Sequence, residues 1–106
     1  GTIIASGVTA SAKGMAPSAS LESHDWNYDG SEMALEAANG MLVSNHSYGF
    51  LRGWSGSTWW GDTTVSNDED YKFGFYDETS QVWDEIAYDA PYYLIVKSAG
   101  NDRNDS

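Results

Sequence analysis

Apolar residues in this chain fall into a few short runs separated by stretches rich in Gly, Ser and Asp, and the period changes from run to run. Tyr92-Tyr93-Leu94-Ile95-Val96 is aromatic and branched without alternation, begins behind Pro91 and breaks at Lys97-Ser98-Ala99-Gly100. This predicts a strand over residues 92–96 buried on both faces, as parallel strands are. Met41-Leu42-Val43-Ser44-Asn45 predicts a second buried strand that leaves through His46-Ser47-Tyr48-Gly49, and residues 19–23 predict a first. Between them Met33-Ala34-Leu35-Glu36-Ala37-Ala38 reads as a helix, capped by Asp29 with Glu32 closing a capping box and stopped at Asn39-Gly40. From Thr79 or Ser80 the period is helical again, with Val82, Trp83, Ile86, Ala87 and Ala90 on one face until Pro91. Residues 1–6 read as the tail of a helix ended by Gly7, and residues 8–18 as a loop.

Strands alternating with helices predict an α/β fold with a parallel sheet and Rossmann-like right-handed crossovers. The expected arrangement is three strands in sequential order, two complete helices on one face and the 1–6 stub on the other: three layers, α/β/α. Such sheets bind ligands beyond the carboxyl ends of their strands, where this chain places Gly100, which lets backbone approach closely, and Asn101, an amide donor; a tight turn is the other use of such residues.

Residues 50–76 interrupt the pattern. Gly53, Gly56, Gly61 and Gly74 interleave with Trp54, Trp59, Trp60, Tyr71, Phe73, Phe75 and Tyr76, followed on the acidic side by Asn67-Asp68-Glu69-Asp70. An insertion of this length is either a functional rim or a small hairpin of its own, its aromatics stacking on a ligand or forming a satellite core.

The 106 residues, 41% of them hydrophobic, fit one small domain with modest burial. Five Lys and Arg against sixteen Asp and Glu give a net charge of −11, which argues against nucleic acid or an anionic membrane as partner. No Cys is present, so disulfides, thiolate nucleophiles and thiolate metal sites are excluded, and no apolar run is long enough to span a bilayer. A start at Gly1 is expected of a processed or excised segment.

Acid residues also form a motif. Asp25-x-Asn27-x-Asp29-Gly30 with Glu36 five residues on has the oxygen-ligand spacing of an EF-hand type calcium loop, with Gly30 at the sharp turn. Position eight is Glu32 where such loops place an apolar residue, and no helix enters, so helix capping competes with calcium for the same residues. His24 and His46 each stand without a carboxylate or nucleophile at a catalytic spacing and read as packed or solvated imidazoles.

Taken together, four motifs resemble the subtilisin-like serine proteases. Gly1-Thr2-Ile3-Ile4 is similar to the end of the family's His-Gly-Thr-His-Val-Ala-Gly-Thr-Ile helix, and Gly14-Met15-Ala16-Pro17-Ser18-Ala19-Ser20-Leu21 to its Gly-Val-Ala-Pro-Ser-Ala-Ser-Leu. Ser44-Asn45-His46-Ser47-Tyr48-Gly49 resembles its Asn-Met-Ser-Leu-Gly, and Ser98-Ala99-Gly100-Asn101 its Ala-Ala-Gly-Asn. The order is the family's, and the departure is residues 50–76, where the family has a much shorter loop.

The resemblance implies the central part of a secreted, extracellular endopeptidase domain that acts through an acyl-enzyme without an organic cofactor. It implies Ser47, Tyr48 and Gly49 as the edge along which a peptide or protein substrate lies, Ser98, Ala99 and Gly100 as a wall of the specificity pocket, and Asn101 as the oxyanion-hole donor. It also implies that catalytic His, Asp and Ser belong to the remainder of the protease domain, the His less than about two helical turns before Gly1. The 106 residues alone are then expected to be inactive and prone to self-association, with Trp59 and Trp60 as a possible substrate rim. His46 stands where the family has an apolar residue. A non-catalytic α/β binding domain for calcium or carbohydrate is the alternative from another class.

Overall fold

A computed structural model describes residue 7 and residues 9–101. Two helices, α1 (Asp29–Ala38) and α2 (Glu78–Asp89), pack on each other and on a parallel pair of strands, β1 (Val43–His46) and β4 (Leu94–Lys97). The register is Val43 with Leu94, Ser44 with Ile95, Asn45 with Val96 and His46 with Lys97. Main-chain bonds extend it at both ends, from Leu94 N to Leu42 O (2.8 Å) and from Ser98 N to His46 O (3.1 Å).

Strand alternation sends Ser44, His46, Tyr93, Ile95 and Lys97 to the helix side. There Met33 of α1, Ile86 of α2 and Tyr93 form the buried centre, flanked by Ala37, Met41, Trp83, Ala90 and Ile95. Gly30 lies in the first turn of α1, where a Cβ would stand 2.8 Å from Val82 Cγ1 of α2, so its lack of a side chain permits this close helix approach.

Both helix stops follow the sequence. Gly40, at φ +94°, ends α1 in a Schellman arrangement, with Gly40 N on Ala37 O (3.1 Å) and Met41 N on Glu36 O (2.9 Å). Pro91 follows Ala90, the residue that caps the end of α2. The starts differ from expectation. The residue before α1 is Tyr28, in the left-handed region at φ 61°, without a side-chain cap; its carbonyl takes the amides of Ser31 (2.9 Å) and Glu32 (3.2 Å). Asp29 therefore sits inside the helix and closes no capping box. For α2 the cap is Asp77, whose carboxylate accepts from Ser80 N at 2.9 Å and Ser80 Oγ at 3.0 Å.

Two expectations about the sheet are corrected. Residues 19–23 form no strand: they are exposed, and Ala19 N closes a turn on Ala16 O at 3.0 Å. A Ser-rich segment with one large apolar side chain, Leu21, offers little burial to offset ordering. The observed strands are buried on one face only. Val43, Leu94 and Val96, on the face away from the helices, are 57%, 59% and 42% exposed. The described residues thus build two layers, and the expected helical stub at residues 1–6 lies outside them.

Residues 50–76 carry their own hairpin, β2 (Trp54–Ser55) with β3 (Thr58–Trp59), turned through Gly56 at φ +59°. Trp60 N adds a bond to Gly53 O at 2.8 Å, and the Trp54 and Trp59 rings meet at 5.5 Å. Asp70 holds the base. It is 4% exposed and accepts from Gly53 N (2.9 Å) and Lys72 N (3.1 Å). Gly53 needs to be glycine, since its φ is +61° and the Phe73 ring is 2.7 Å from where a Cβ would be. Arg52 then ties the insertion to α2, bonding Lys72 O and standing 3.6 Å from Asp77.

The Gly53 amide, helped by Lys72 and Arg52, holds the Asp70 carboxyl below its ordinary range. A depressed carboxyl contributes stability that is present above about pH 4 and lost as pH falls through the folded value. Asp70→Ala is expected to strip amide-exchange protection from residues 53–60 at neutral pH while α1 and α2 keep theirs. Wild type should show that selective opening only below about pH 4. Protection unchanged by the substitution would rule Asp70 out as the anchor.

Candidate functional site

Because β1 and β4 run parallel, their carboxyl ends emerge side by side, and the segments 47–49 and 98–101 meet on one rim. The sequence separates them by about fifty residues; the pairing brings them together. Ser47 and Gly49 are exposed, and no main-chain group among the described residues takes their amides or carbonyls. Ser47 Oγ accepts from Asn45 Nδ2 at 2.9 Å. Gly100 turns at φ +94°, a conformation that disfavours any side chain, and Asn101 follows with its amide exposed and bonded to no described residue.

Lys97 links the two segments. Its ammonium donates to Tyr48 O and to Ser98 Oγ (3.2 Å), and lies 5.7 Å from the Tyr48 ring centre. Sequence reasoning missed this residue, although its place as inward partner of His46 follows from the register.

His46 is the second unforeseen feature. It is packed, as expected of its type, and 7% exposed, with Trp83 at 4.8 Å between ring centres. Its Nδ1 meets the Tyr48 hydroxyl at 2.5 Å, its Nε2 meets Ser44 Oγ at 2.8 Å, and the Tyr48 hydroxyl donates in turn to Asp29. The Ser44-x-His46-x-Tyr48 spacing was visible as strand alternation; Asp29, nineteen residues from Tyr48, was not. Burial pushes the His46 ring below its ordinary value, Asp29 opposing and Lys97 assisting. Burial and the bond to Asp29 push the Tyr48 phenol well up.

The acidic motif is dispersed among protein partners. Asp25 accepts from Asn27 N at 2.8 Å, Asp29 is engaged by Tyr48, and His24 lies 3.4 Å from Glu32 and 3.8 Å from Glu36. Among the described residues no three His, Asp or Glu side chains gather as a metal site. Trp59 is partly buried, its ring lying over Gly61, and lines the broad trough beside Gly49 and Asn101 with Trp54; Trp60 is 50% exposed and lies outside that lining. No described helix is long and apolar enough to cross a membrane. Compared with models of protein families, with curated proteins and with solved structures, the chain matches none.

Calcium titration by calorimetry is expected to show binding no tighter than about 10⁻⁴ M, since the spacing is present but the ligands are turned elsewhere. Micromolar affinity lost in Asp25→Ala would contradict the dispersed arrangement.

Proposed function

We propose that this chain is the central part of a subtilisin-like serine endopeptidase domain, supplying substrate edge and oxyanion donor to a triad held by the rest of the domain. The observation that carries the reading is the juxtaposition of two of the four motifs. Parallel pairing sets Ser47-Tyr48-Gly49 beside Ser98-Ala99-Gly100-Asn101, with main-chain groups on the first and an exposed amide on the second that bond to no described residue. An extended peptide adds to a strand edge through main-chain bonds, and small residues let it approach. A tetrahedral oxyanion is stabilised by an amide donor that is already in place before charge develops.

In this reading Ser47 and Gly49 bind the peptide main chain, Ser98, Ala99 and Gly100 form one wall of the specificity pocket, and Asn101 donates to the oxyanion. No cofactor is required, and the enzyme acts outside the cell on peptide or protein substrates. Trp59, which lines the broad trough, and Trp60 are the insertion's candidates for a substrate contact. The open face of Val43, Leu94 and Val96 is where the remaining strands and helices of the domain pack.

Two outcomes test this. Asn101→Ala in the whole protease domain is expected to lower turnover by about 10²–10³ with KM nearly unchanged, the effect of losing one side-chain donor from a subtilisin-type oxyanion hole. Unchanged turnover in a folded variant would remove the assignment. The 106-residue chain by itself is expected to cleave no peptide and to sediment as self-associated species, with Leu94→Lys and Val96→Lys together restoring the monomer; a stable monomeric wild type would show that the open face needs no cover.

A further inference from the structure

The hydrogen bonds beneath residues 47–49 have a single direction. Tyr48 has one hydroxyl hydrogen, which goes to Asp29, so its oxygen is left to accept from His46 Nδ1–H. With the hydrogen on Nδ1, the neutral ring accepts at Nε2 from Ser44 Oγ–H. Ser44, His46 and Tyr48 thus donate in sequence toward one carboxylate, that of Asp29, an arrangement in which each bond polarises the next. Serine, imidazole and carboxylate in series resemble a nucleophile relay, but here a tyrosine stands between imidazole and carboxylate and the imidazole is buried against Trp83. Its free end is positional: Tyr48 is gripped at both ends, by the relay through its hydroxyl and by Lys97 through its carbonyl.

We propose that Asp29, His46 and Ser44 are positioning residues, which hold the Tyr48 side chain inward and thereby fix the main chain of Ser47 and Gly49 against the 98–101 segment for a substrate to pair with. The proposal rests on the protease reading for the identity of the substrate and on the structure alone for the clamp. Asp29 on α1, Lys97 on β4, Trp83 on α2 and Ser44 and Tyr48 beside the ring are the groups that face His46. Protonation would place a second cation near the Lys97 ammonium that holds Tyr48 O, so acid loosens the clamp. The sign follows from burial: above about pH 6.5 the ring is neutral folded or unfolded and stability is flat. As pH falls below that value the unfolded chain takes the proton first, and stability declines.

Nuclear magnetic resonance of the chain reads the clamp directly. The His46 ring is expected to titrate below its ordinary value, the amide shifts of Tyr48 and Gly49 to follow the same midpoint, and Asp29→Ala to lower that midpoint further. Amides at 47–49 that ignore the His46 titration would overturn the proposal. In the protease domain, Asp29→Ala should raise peptide KM about tenfold at near-constant kcat, as losing a hydrogen bond to a charged group does, and Asn at position 29 should recover most of the loss. Ser44→Ala, a smaller change that leaves the fold intact, should raise KM in the same direction; KM unmoved in both would also overturn it. If Asn101→Ala fails to lower turnover while the shifts still follow His46, the protease reading falls and the clamp stands. If Asn101→Ala lowers turnover and the shifts do not follow, the clamp alone falls.

Discussion

The parallel register of β1 and β4 is the constraint on which the rest depends. It is short, four residues on each side, and it is held from one face by Met33, Ile86 and Tyr93. Parallel strands cannot be joined by a tight turn, so the chain between them must make a long excursion, and here it carries both an insertion and α2 before returning. What the excursion secures is that both strands end at the same edge. A slip of one residue would turn Ser44, His46, Ile95 and Lys97 away from the helices and separate Lys97 from Tyr48.

Each of the three parts around that sheet uses a buried or half-buried polar group as its fixing point. Asp70 gathers the backbone of the insertion, Asp77 starts α2 and meets Arg52, and Asp29 ends the relay from Ser44. The strong negative charge of the chain is therefore not only a solvent-facing property. Asp29 and Asp70 accept hydrogen bonds from residues distant in sequence and Asp77 pairs with Arg52, a use of acids that composition cannot reveal.

Local chemistry was legible in the sequence and long-range chemistry was not. Asn39-Gly40 foretold the stop of α1 because a left-handed residue after a helix is a local requirement, and Pro91 foretold that of α2 for the same kind of reason. The start of α1 was misplaced, because Tyr28 adopts a left-handed conformation that favours Gly, Asn or Asp. The strands at 41–45 and 92–96 were found but shifted by one or two residues, and that at 19–23 failed, because a strand exists only with a partner. At the site, motif spacing indicated which segments to watch. The grip of Lys97 on Tyr48 and the path from His46 to Asp29 required knowing what the fold brings together.

The central claim is that Asn101 and the 47–49 main chain face one substrate. Its most direct measurement is a crystal structure of the proposed protease domain with a peptide inhibitor that forms a tetrahedral adduct. The account predicts the adduct oxygen within about 3 Å of the Asn101 amide nitrogen and the peptide paired with the main chain of Ser47 or Gly49. An adduct oxygen held by other donors, with the Asn101 amide turned into its own loop, would contradict it.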